Sequence, residues 1–177
     1  MPWVTLGLGS NDAAETNLSS CLDELLLRFH DLALSSVFQS GSVNGMAGHD
    51  YLNMVVGIDT DMPLQELVRV LKKLEDKHGR GRGTGITGNT GKVSLDIDLL
   101  TYGDKAGNYD GIKLPRPEIL QAAHVLWPLS QVAPRHRHPV LKQTWQALWQ
   151  AFDRQQQQIK PVSFVWHERV ISRPEQG

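Results

Sequence analysis

Two aspartates, Asp96 and Asp98, are spaced so that both carboxylates fall on one face of a β-strand. The run LDIDLLTY around them predicts a strand, and successive side chains of a strand alternate between its faces. Leu95, Ile97 and Leu99 would then point into the core. Neighbouring carboxylates repel each other, and Mg²⁺ is commonly bound by one or two carboxylates together with substrate phosphates and water. The pair indicates a magnesium site; an exposed polar face of an edge strand is the alternative.

The segment before this strand, Gly79–Gly91, is rich in glycine and carries positive charge. Arg80, Arg82 and Lys92 lie in it or beside it, and guanidinium groups and backbone N–H groups suit phosphate oxygens. A nucleotide-dependent transfer enzyme needs cationic side chains that bind phosphate and carboxylates that bind a metal ion, and here the two kinds of group are adjacent in the sequence. A solvated loop without a ligand is the alternative interpretation.

The bulk composition narrows the classes of partner. The chain has 177 residues, which suits one domain over residues 1–177, and its net charge is −1. Such a balance gives no general attraction for nucleic acid or for a membrane surface, so an anionic ligand must be bound by a local cluster. Cys21 is the single cysteine, which excludes an internal disulfide. There is neither a signal-peptide pattern nor an apolar run of ~20 residues. We therefore expect a cytoplasmic monomer without a nucleic-acid or membrane partner.

The elements that must position these side chains follow from hydrophobic periodicity. The pattern predicts, in order, the strand Val4–Leu8, the helix Ala14–His30, the strands Leu32–Phe38 and Tyr51–Ile58, a helix with Pro63 in its first turn, and the strand Leu95–Tyr102. It then predicts a polar turn over Gly103–Gly111, helices over Pro115–Ala123, Val125–Val132 and Leu141–Phe152 with a bend near Trp127–Pro128, and a terminal strand, Val162–Ile171. This order predicts an α+β fold, a ferredoxin-like α/β sandwich (βαββαβ) with a C-terminal helical elaboration.

Several short segments together carry a family resemblance. They are Leu6–Asn11, Tyr51–Asn53, Glu75 with Gly79–Arg82, Leu95–Gly103, Leu114–Pro115, Val125–Leu129 and Ala133–Pro134. In this order and at nearly this spacing they resemble the 6-hydroxymethyl-7,8-dihydropterin pyrophosphokinase family of folate biosynthesis. The strand that carries Asp96 and Asp98 is the most specific of the matches.

The resemblance implies a reaction and a set of site residues. The reaction is transfer of pyrophosphate from ATP to the hydroxymethyl group of the pterin, with AMP as the other product and two Mg²⁺ ions bound by Asp96 and Asp98. The implied pterin-binding residues are Ser40, Val43, Tyr51, Asn53, Asp96 and His124. The implied ATP-binding residues are Glu75, Leu99, Ile112, Lys113 and Arg116, and the implied catalytic cations are Arg80 and Arg82. We expect Lys92 to act as a third catalytic cation, in place of an arginine that the family has shortly before the aspartate strand.

The sequence also departs from the family pattern. Asn89–Val93 replaces a tryptophan and an arginine, Arg116 replaces a histidine, and Ala122 and His124 replace an arginine and a phenylalanine. A lost cation would slow transfer, and a lost ring would weaken pterin binding. Two alternatives therefore stay open: a relative that binds nucleotide or pterin without efficient transfer, and another metal–nucleotide transferase on the same fold.

Overall fold

The computed structural model of the chain describes residues 1–41, 50–79, 92–155 and 157–175. The N-terminal elements are β1 (Trp3–Ser10), α1 (Ala14–Phe29), β2 (Ala33–Leu34), β3 (Val37–Ser40), β4 (Tyr51–Asp59) and α2 (Leu64–Lys77). They are followed by β5 (Asp96–Tyr102), β6 (Gly107–Tyr109), β7 (Ile112–Leu114), a 3₁₀ helix (Pro117–Leu120), α3 (Ala123–Val132), α4 (Trp145–Gln150), β8 (Ile159–Val162), β9 (Phe164–Trp166) and β10 (Arg169–Ser172).

A central antiparallel sheet has the strand order β5-β1-β4-β3-β8, with β2 also paired to β4. Strand β1 lies between β4 and β5, and its pairing with β5 sets Gly7 opposite Asp98 and Gly9 opposite Asp96. Cross-strand partners point to the same face of a sheet, and glycine adds no side chain there. The aspartate face of β5 is therefore bordered by backbone alone on the β1 side.

Helices cover both faces of this sheet and create two hydrophobic cores. On one face, α1 contributes Leu18, Cys21, Leu22 and Leu25, spaced three or four residues apart as the sequence predicts for one side of a helix. The stripe of α2, alternate residues of β1 and β5, and further residues of β3, β4, β7 and β9 complete that core. On the other face, α3 and α4 pack over Val55 and Leu100. The mixed α/β architecture with an antiparallel sheet is as predicted.

Helix α1 keeps its predicted bounds to within one residue, and α2 begins at Leu64 with Pro63 at its N-cap position, but the predicted second strand is interrupted. It divides into β2 and β3 at Ser35 and Ser36. The Ser35 hydroxyl donates to the carbonyl oxygen of Ser36 at 2.7 Å and accepts the Val55 N–H at 2.8 Å. This side chain takes the place of a backbone acceptor, so the regular ladder stops there.

The prediction of a polar turn over Gly103–Gly111 was wrong in part. The segment contains β6, which pairs with β7 from Gly107 opposite Leu114 to Tyr109 opposite Ile112. Asp110 and Gly111 connect the strands with positive φ angles of 54° and 91°. Two residues of positive φ suit a tight hairpin, which sequence periodicity over three-residue strands does not reveal.

The C-terminal part is less helical than the sequence predicts. The break between the two short helices falls at Gln121–Ala122, and α3 continues through Pro128. The predicted helix Leu141–Phe152 contracts to α4, where the Thr144 hydroxyl accepts the Ala147 N–H at 3.1 Å. A side-chain cap of this kind sets where a helix begins.

The predicted terminal strand Val162–Ile171 is not continuous: β8 ends at Val162, and the rest of the segment contains β9 and most of β10. Strand β8 pairs with β3, so it joins the central sheet, whereas β9 and β10 form a hairpin. His167 and Glu168, both at positive φ, make the turn of that hairpin. Within the described residues no helix combines the length and apolar character needed to cross a membrane.

Candidate active site

Strand β5 presents Asp96 and Asp98, both partly buried, while Ile97 and Leu99 are buried in the core on the opposite face. A side chain from α2 fixes the strand between the aspartates: the Glu75 carboxylate accepts the Ile97 N–H at 2.7 Å. A charged acceptor makes a stronger hydrogen bond than a neutral one. The alternation of side chains that the sequence predicts is therefore present, and Glu75 of α2 holds this part of the strand in place.

Two cavities meet at these aspartates. The first has a volume of about 580 Å³ and lies between β1, β4, β5, α3 and the start of β8. The second has a volume of about 640 Å³ and lies between α2, β5, β7 and the 3₁₀ helix. Asp96, Asp98 and Glu118 line both cavities. Groups bound in the two cavities would approach each other beside these three carboxylates.

The residues implied by the resemblance divide between the cavities according to their expected ligand. The first cavity is lined by Ser40, Tyr51, Asn53, Asp96 and His124, which belong to the pterin set. The second is lined by Glu75, Leu99, Ile112, Lys113 and Arg116, which form the whole ATP set. Lys92 is exposed and lines neither cavity. Val43, Arg80 and Arg82 lie outside the described residues.

The carboxyl group of Asp98 has an unusual electrostatic environment. Burial and, after it, the negative charge of Asp96 raise the pKa of Asp98 from 3.8 to about 6. The Arg116 guanidinium, whose Nη2 lies 3.5 Å from Asp98 Oδ1, opposes this rise only in part. A second cation beside the pair would relieve the remaining repulsion.

Glu118 is a site residue that the sequence analysis missed. Its carboxylate accepts from Arg116 Nε at 3.2 Å, and its Oε1 lies 3.6 Å from His124 Nε2. The contact with His124 and then that with Arg116 outweigh burial and lower the pKa of Glu118 to about 2. Glu118 is therefore ionised at neutral pH. It lies in a 3₁₀ helix too short to show periodicity, and its spacing of two residues from Arg116 is the only sequence signal.

Asn53 is buried in the wall of the first cavity and its amide is oriented by a neighbour. Asn53 Nδ2 donates to Ser40 Oγ at 2.9 Å across the β3–β4 pair. Burial, followed by the charge of Asp96, raises the pKa of the nearby Tyr51 hydroxyl, so that phenol stays protonated. The first cavity thus combines an oriented amide, a hydroxyl and a phenol, which suit the hydrogen-bonding edge of a heterocycle.

The first cavity has a further wall that sequence reasoning did not identify. Gln157, Gln158 and Ile159 line it from the C-terminal side of the chain, where β8 begins. Ile159 pairs with Ser40, so the pairing of β8 with β3 brings this segment to the site. A contact between residues so far apart in sequence leaves no local pattern.

The chain is similar to known proteins over the segments that form both cavities as far as α3. Residues 5–134 match the family model of 7,8-dihydro-6-hydroxymethylpterin-pyrophosphokinase (HPPK). The 2-amino-4-hydroxy-6-hydroxymethyldihydropteridine pyrophosphokinase of Aquifex aeolicus is 29% identical over 143 residues, which cover 80% of this chain and 87% of that protein. The protein of the same name from Pseudomonas aeruginosa is 29% identical over 139 residues, covering 77% and 83%.

Solved structures share the fold. The wild-type HPPK-DHPS of Plasmodium falciparum superposes with a TM-score of 0.67 at 14% identity, over 97% of this chain and 50% of that chain. A triple mutant of the same protein with pteroate gives a TM-score of 0.68 at 13% identity. This chain thus spans about half the length of those solved chains. Since the family model covers most of its length, from residue 5 to residue 134, the chain belongs to the 7,8-dihydro-6-hydroxymethylpterin-pyrophosphokinase family.

Proposed function

We propose that the protein transfers pyrophosphate from ATP to 6-hydroxymethyl-7,8-dihydropterin in folate biosynthesis, with AMP as the second product. The observation that carries this proposal is the meeting of two cavities at Asp96 and Asp98, with the residues implied for the pterin in one and those implied for ATP in the other. Membership of the pyrophosphokinase family supports the same reaction.

The acceptor would lie in the first cavity and the nucleotide in the second. The oriented amide of Asn53 would recognise the pterin edge, and the cations of Lys113 and Arg116 would bind phosphate oxygens. The hydroxymethyl oxygen forms a bond to the β-phosphorus of ATP while the bond from that phosphorus to the α,β-bridging oxygen breaks, so AMP leaves, and the hydroxyl proton is released to solvent. This transfer requires the reacting atoms to meet beside the three shared carboxylates.

Asp96 and Asp98 would hold Mg²⁺ in this site, and the residues present fit that ion. Two partly buried carboxylates lie on one strand face, where burial and, after it, the negative charge of Asp96 raise the pKa of Asp98. Among the described residues no set of three or more His, Cys, Asp or Glu side chains could ligate a metal together. Few protein ligands suit Mg²⁺, which takes its other ligands from phosphates and water. Two such ions would neutralise charge on the triphosphate, and Arg80, Arg82 and Lys92 are proposed as further cations.

The strand order β5-β1-β4-β3, with helices after β1 and β4, supports a ferredoxin-like sandwich. We also propose that residues 1–177 form one domain, and that the protein acts as a monomer in the cytoplasm.

A product assay tests this function. The protein is incubated with ATP, MgCl₂ and 6-hydroxymethyl-7,8-dihydropterin, and nucleotides are separated by chromatography. We expect acceptor-dependent formation of AMP and a pterin diphosphate, lost in Asp98→Asn and retained in Asp61→Asn, a change at an exposed aspartate outside both cavities.

Other products would contradict the proposal. Formation of ADP, or turnover that requires a different acceptor, would indicate another metal–nucleotide transferase. Saturable binding of ATP and pterin by calorimetry without any AMP would indicate a relative that does not transfer.

A further inference from the structure

The side-chain amide of Gln157 makes two hydrogen bonds to the backbone at the start of α3. Its Oε1 accepts the Ala123 N–H at 2.7 Å, and its Nε2 donates to the carbonyl oxygen of Gln121 at 2.7 Å. An amide uses its acceptor and its donor at once only when the partners have matching orientation. Gln157 thus joins the C-terminal segment to the junction between the 3₁₀ helix and α3.

This contact replaces a missing helix cap. The N-cap position of α3 is Ala122, which has no side-chain group that can accept from the first N–H groups of the helix. Those N–H groups need acceptors, and Ser, Thr, Asp or Asn normally provides one from the N-cap position itself. Here Gln157 provides it from a distant part of the chain.

The junction that Gln157 binds lies between two site residues. Glu118 precedes it in the 3₁₀ helix, and His124 follows it as the second residue of α3. Both side chains line the first cavity, and Gln157 lines it too. Gln157 is itself held in place because the next-but-one residue, Ile159, pairs with Ser40 in the sheet.

Arg116 is anchored separately from this junction. Its backbone N–H donates to the carbonyl oxygen of Leu100 in β5 at 2.8 Å. A disturbance at Gln121–Ala123 would therefore move His124 in the first cavity more than it moves Arg116 in the second.

We propose that Gln157 is a positioning residue for acceptor binding: it caps α3 from the C-terminal segment and thereby holds His124 and Glu118 against the first cavity. The inference rests on the proposed function, because it takes the first cavity as the acceptor site. It adds a residue that lies outside the segment matched by the family, residues 5–134.

Three variants test the role of the amide. Gln157→Ala removes both hydrogen bonds. Gln157→Glu keeps an acceptor for the Ala123 N–H but cannot donate to Gln121. Gln155→Ala removes an exposed glutamine side chain of the same segment that lines neither cavity, and it serves as the control. For each variant we would measure KM for the pterin, KM for ATP, kcat and the thermal midpoint.

We expect Gln157→Ala to raise KM for the pterin by about tenfold, the scale of a lost cap, with KM for ATP changed less than about twofold. Gln157→Glu should lie between it and the wild type, and Gln155→Ala should match the wild type. A purely structural contact would lower the thermal midpoint and leave both KM values unchanged well below that midpoint.

Failure of the Gln157 inference can be distinguished from failure of the proposed function. If the wild type forms no acceptor-dependent AMP, the proposed function fails, and amide exchange at Ala123 still reports whether Gln157 caps α3. If the wild type is active and Gln157→Ala has a wild-type KM for the pterin, the inference is overturned. If Gln157→Ala does not fold, Gln157→Glu decides: a raised pterin KM supports the inference, and a wild-type KM overturns it.

Discussion

Burial and the nearby Asp96 disfavour the ionised form of the Asp98 carboxyl group in the folded protein, and a bound cation would stabilise that form. Replacing Asp98 by asparagine keeps the shape and deletes the charge. We expect Asp98→Asn to leave the stability of the ligand-free protein unchanged or slightly increased, and to abolish the rise in thermal midpoint caused by magnesium and ATP. Thermal unfolding with and without magnesium-ATP measures both effects. Loss of stability together with a retained magnesium-ATP shift would contradict a metal role for this residue.

The same carboxyl group gives a pH dependence of defined sign. The pKa of Asp98 is about 6 in the folded protein against 3.8 for an ordinary aspartate, so the folded state holds the proton more tightly than the unfolded state. The stability that the protonated Asp98 carboxyl adds to the folded state is fully present below pH 3.8 and is lost as pH rises through about 6. From about pH 4 to about pH 7, the free energy of unfolding of the wild type should fall relative to Asp98→Asn by roughly 1–3 kcal/mol. Urea denaturation of both proteins across this range measures it, and parallel pH profiles would refute it.

A substitution at His124 tests the effect of the phenylalanine ring that the family pattern has at this position. The sequence alone suggests restoring both family residues, as Ala122→Arg with His124→Phe, but Ala122 is only 7% exposed and packs in the second core. An arginine there would have to displace core side chains. His124→Phe alone should lower KM for the pterin about threefold to tenfold, because a ring face in the cavity suits a flat heterocycle. Steady-state kinetics measure this, and an unchanged or higher KM would show that the histidine contributes to binding.

At the scale of elements, the central strand pair depends on one glycine. A Cβ at Gly57 in β4 would overlap the indole of Trp3 and lie 3.0 Å from Val132 Cγ1, so an alanine would have to displace the indole and crowd Val132 in α3. Gly7 is the matched control, since its Cβ would meet Leu100 at an ordinary 3.4 Å. We expect Gly57→Ala to lower the free energy of unfolding by ~1–3 kcal/mol and Gly7→Ala to lower it less. Equal losses in chemical denaturation would contradict this account.

Periodic elements could be predicted from the sequence and short ones could not. Helices α1 and α2 bury one stripe each, so their spacing identified both helices, and α1 to within one residue at each end. The strand with Asp96 and Asp98 alternates as predicted as far as Leu99, because Ile97 and Leu99 enter the first core while the two aspartates face the cavities; beyond them Leu100 is buried in the second core. Strands β6 to β10 have three or four residues each, and they exist because of turns at positive φ and of pairing with distant strands. Those causes do not show in a local pattern.

The candidate site divides in the same way. Residues that a family motif marks, such as Asn53 and Asp98, could be identified from the sequence and lie on cavity walls. Glu118 and Gln157 could not be identified. Glu118 matters because of its ion pair with Arg116 beside a short 3₁₀ helix, and Gln157 because of a hydrogen bond to Ala123, 34 residues earlier in the chain. The predicted cation Lys92 lines neither cavity.

For the whole molecule, three carboxylates shared by two cavities imply that the ligands influence each other. Asp96, Asp98 and Glu118 repel the ATP phosphates until Mg²⁺ neutralises them, and carboxylates that bind a cation cost less to desolvate when the uncharged pterin covers them. We expect magnesium and a non-hydrolysable ATP analogue to tighten pterin binding about fivefold or more, and the pterin to tighten analogue binding by the same factor. Calorimetric titrations in both orders measure it. Asp98→Asn should reduce this coupling, and independent binding in the wild type would refute it.

The pairing of β8 with β3 also has a consequence for synthesis of the protein. About 120 residues separate Ser40 from Ile159, its partner across that pair. At about 5–20 residues per second, a ribosome needs roughly 6 to 24 seconds to make them. During that time the outer edge of β3 has no strand to pair with, and an open edge can recruit strands from other chains. The nascent chain therefore passes through an interval in which its sheet is open and its first cavity lacks a wall.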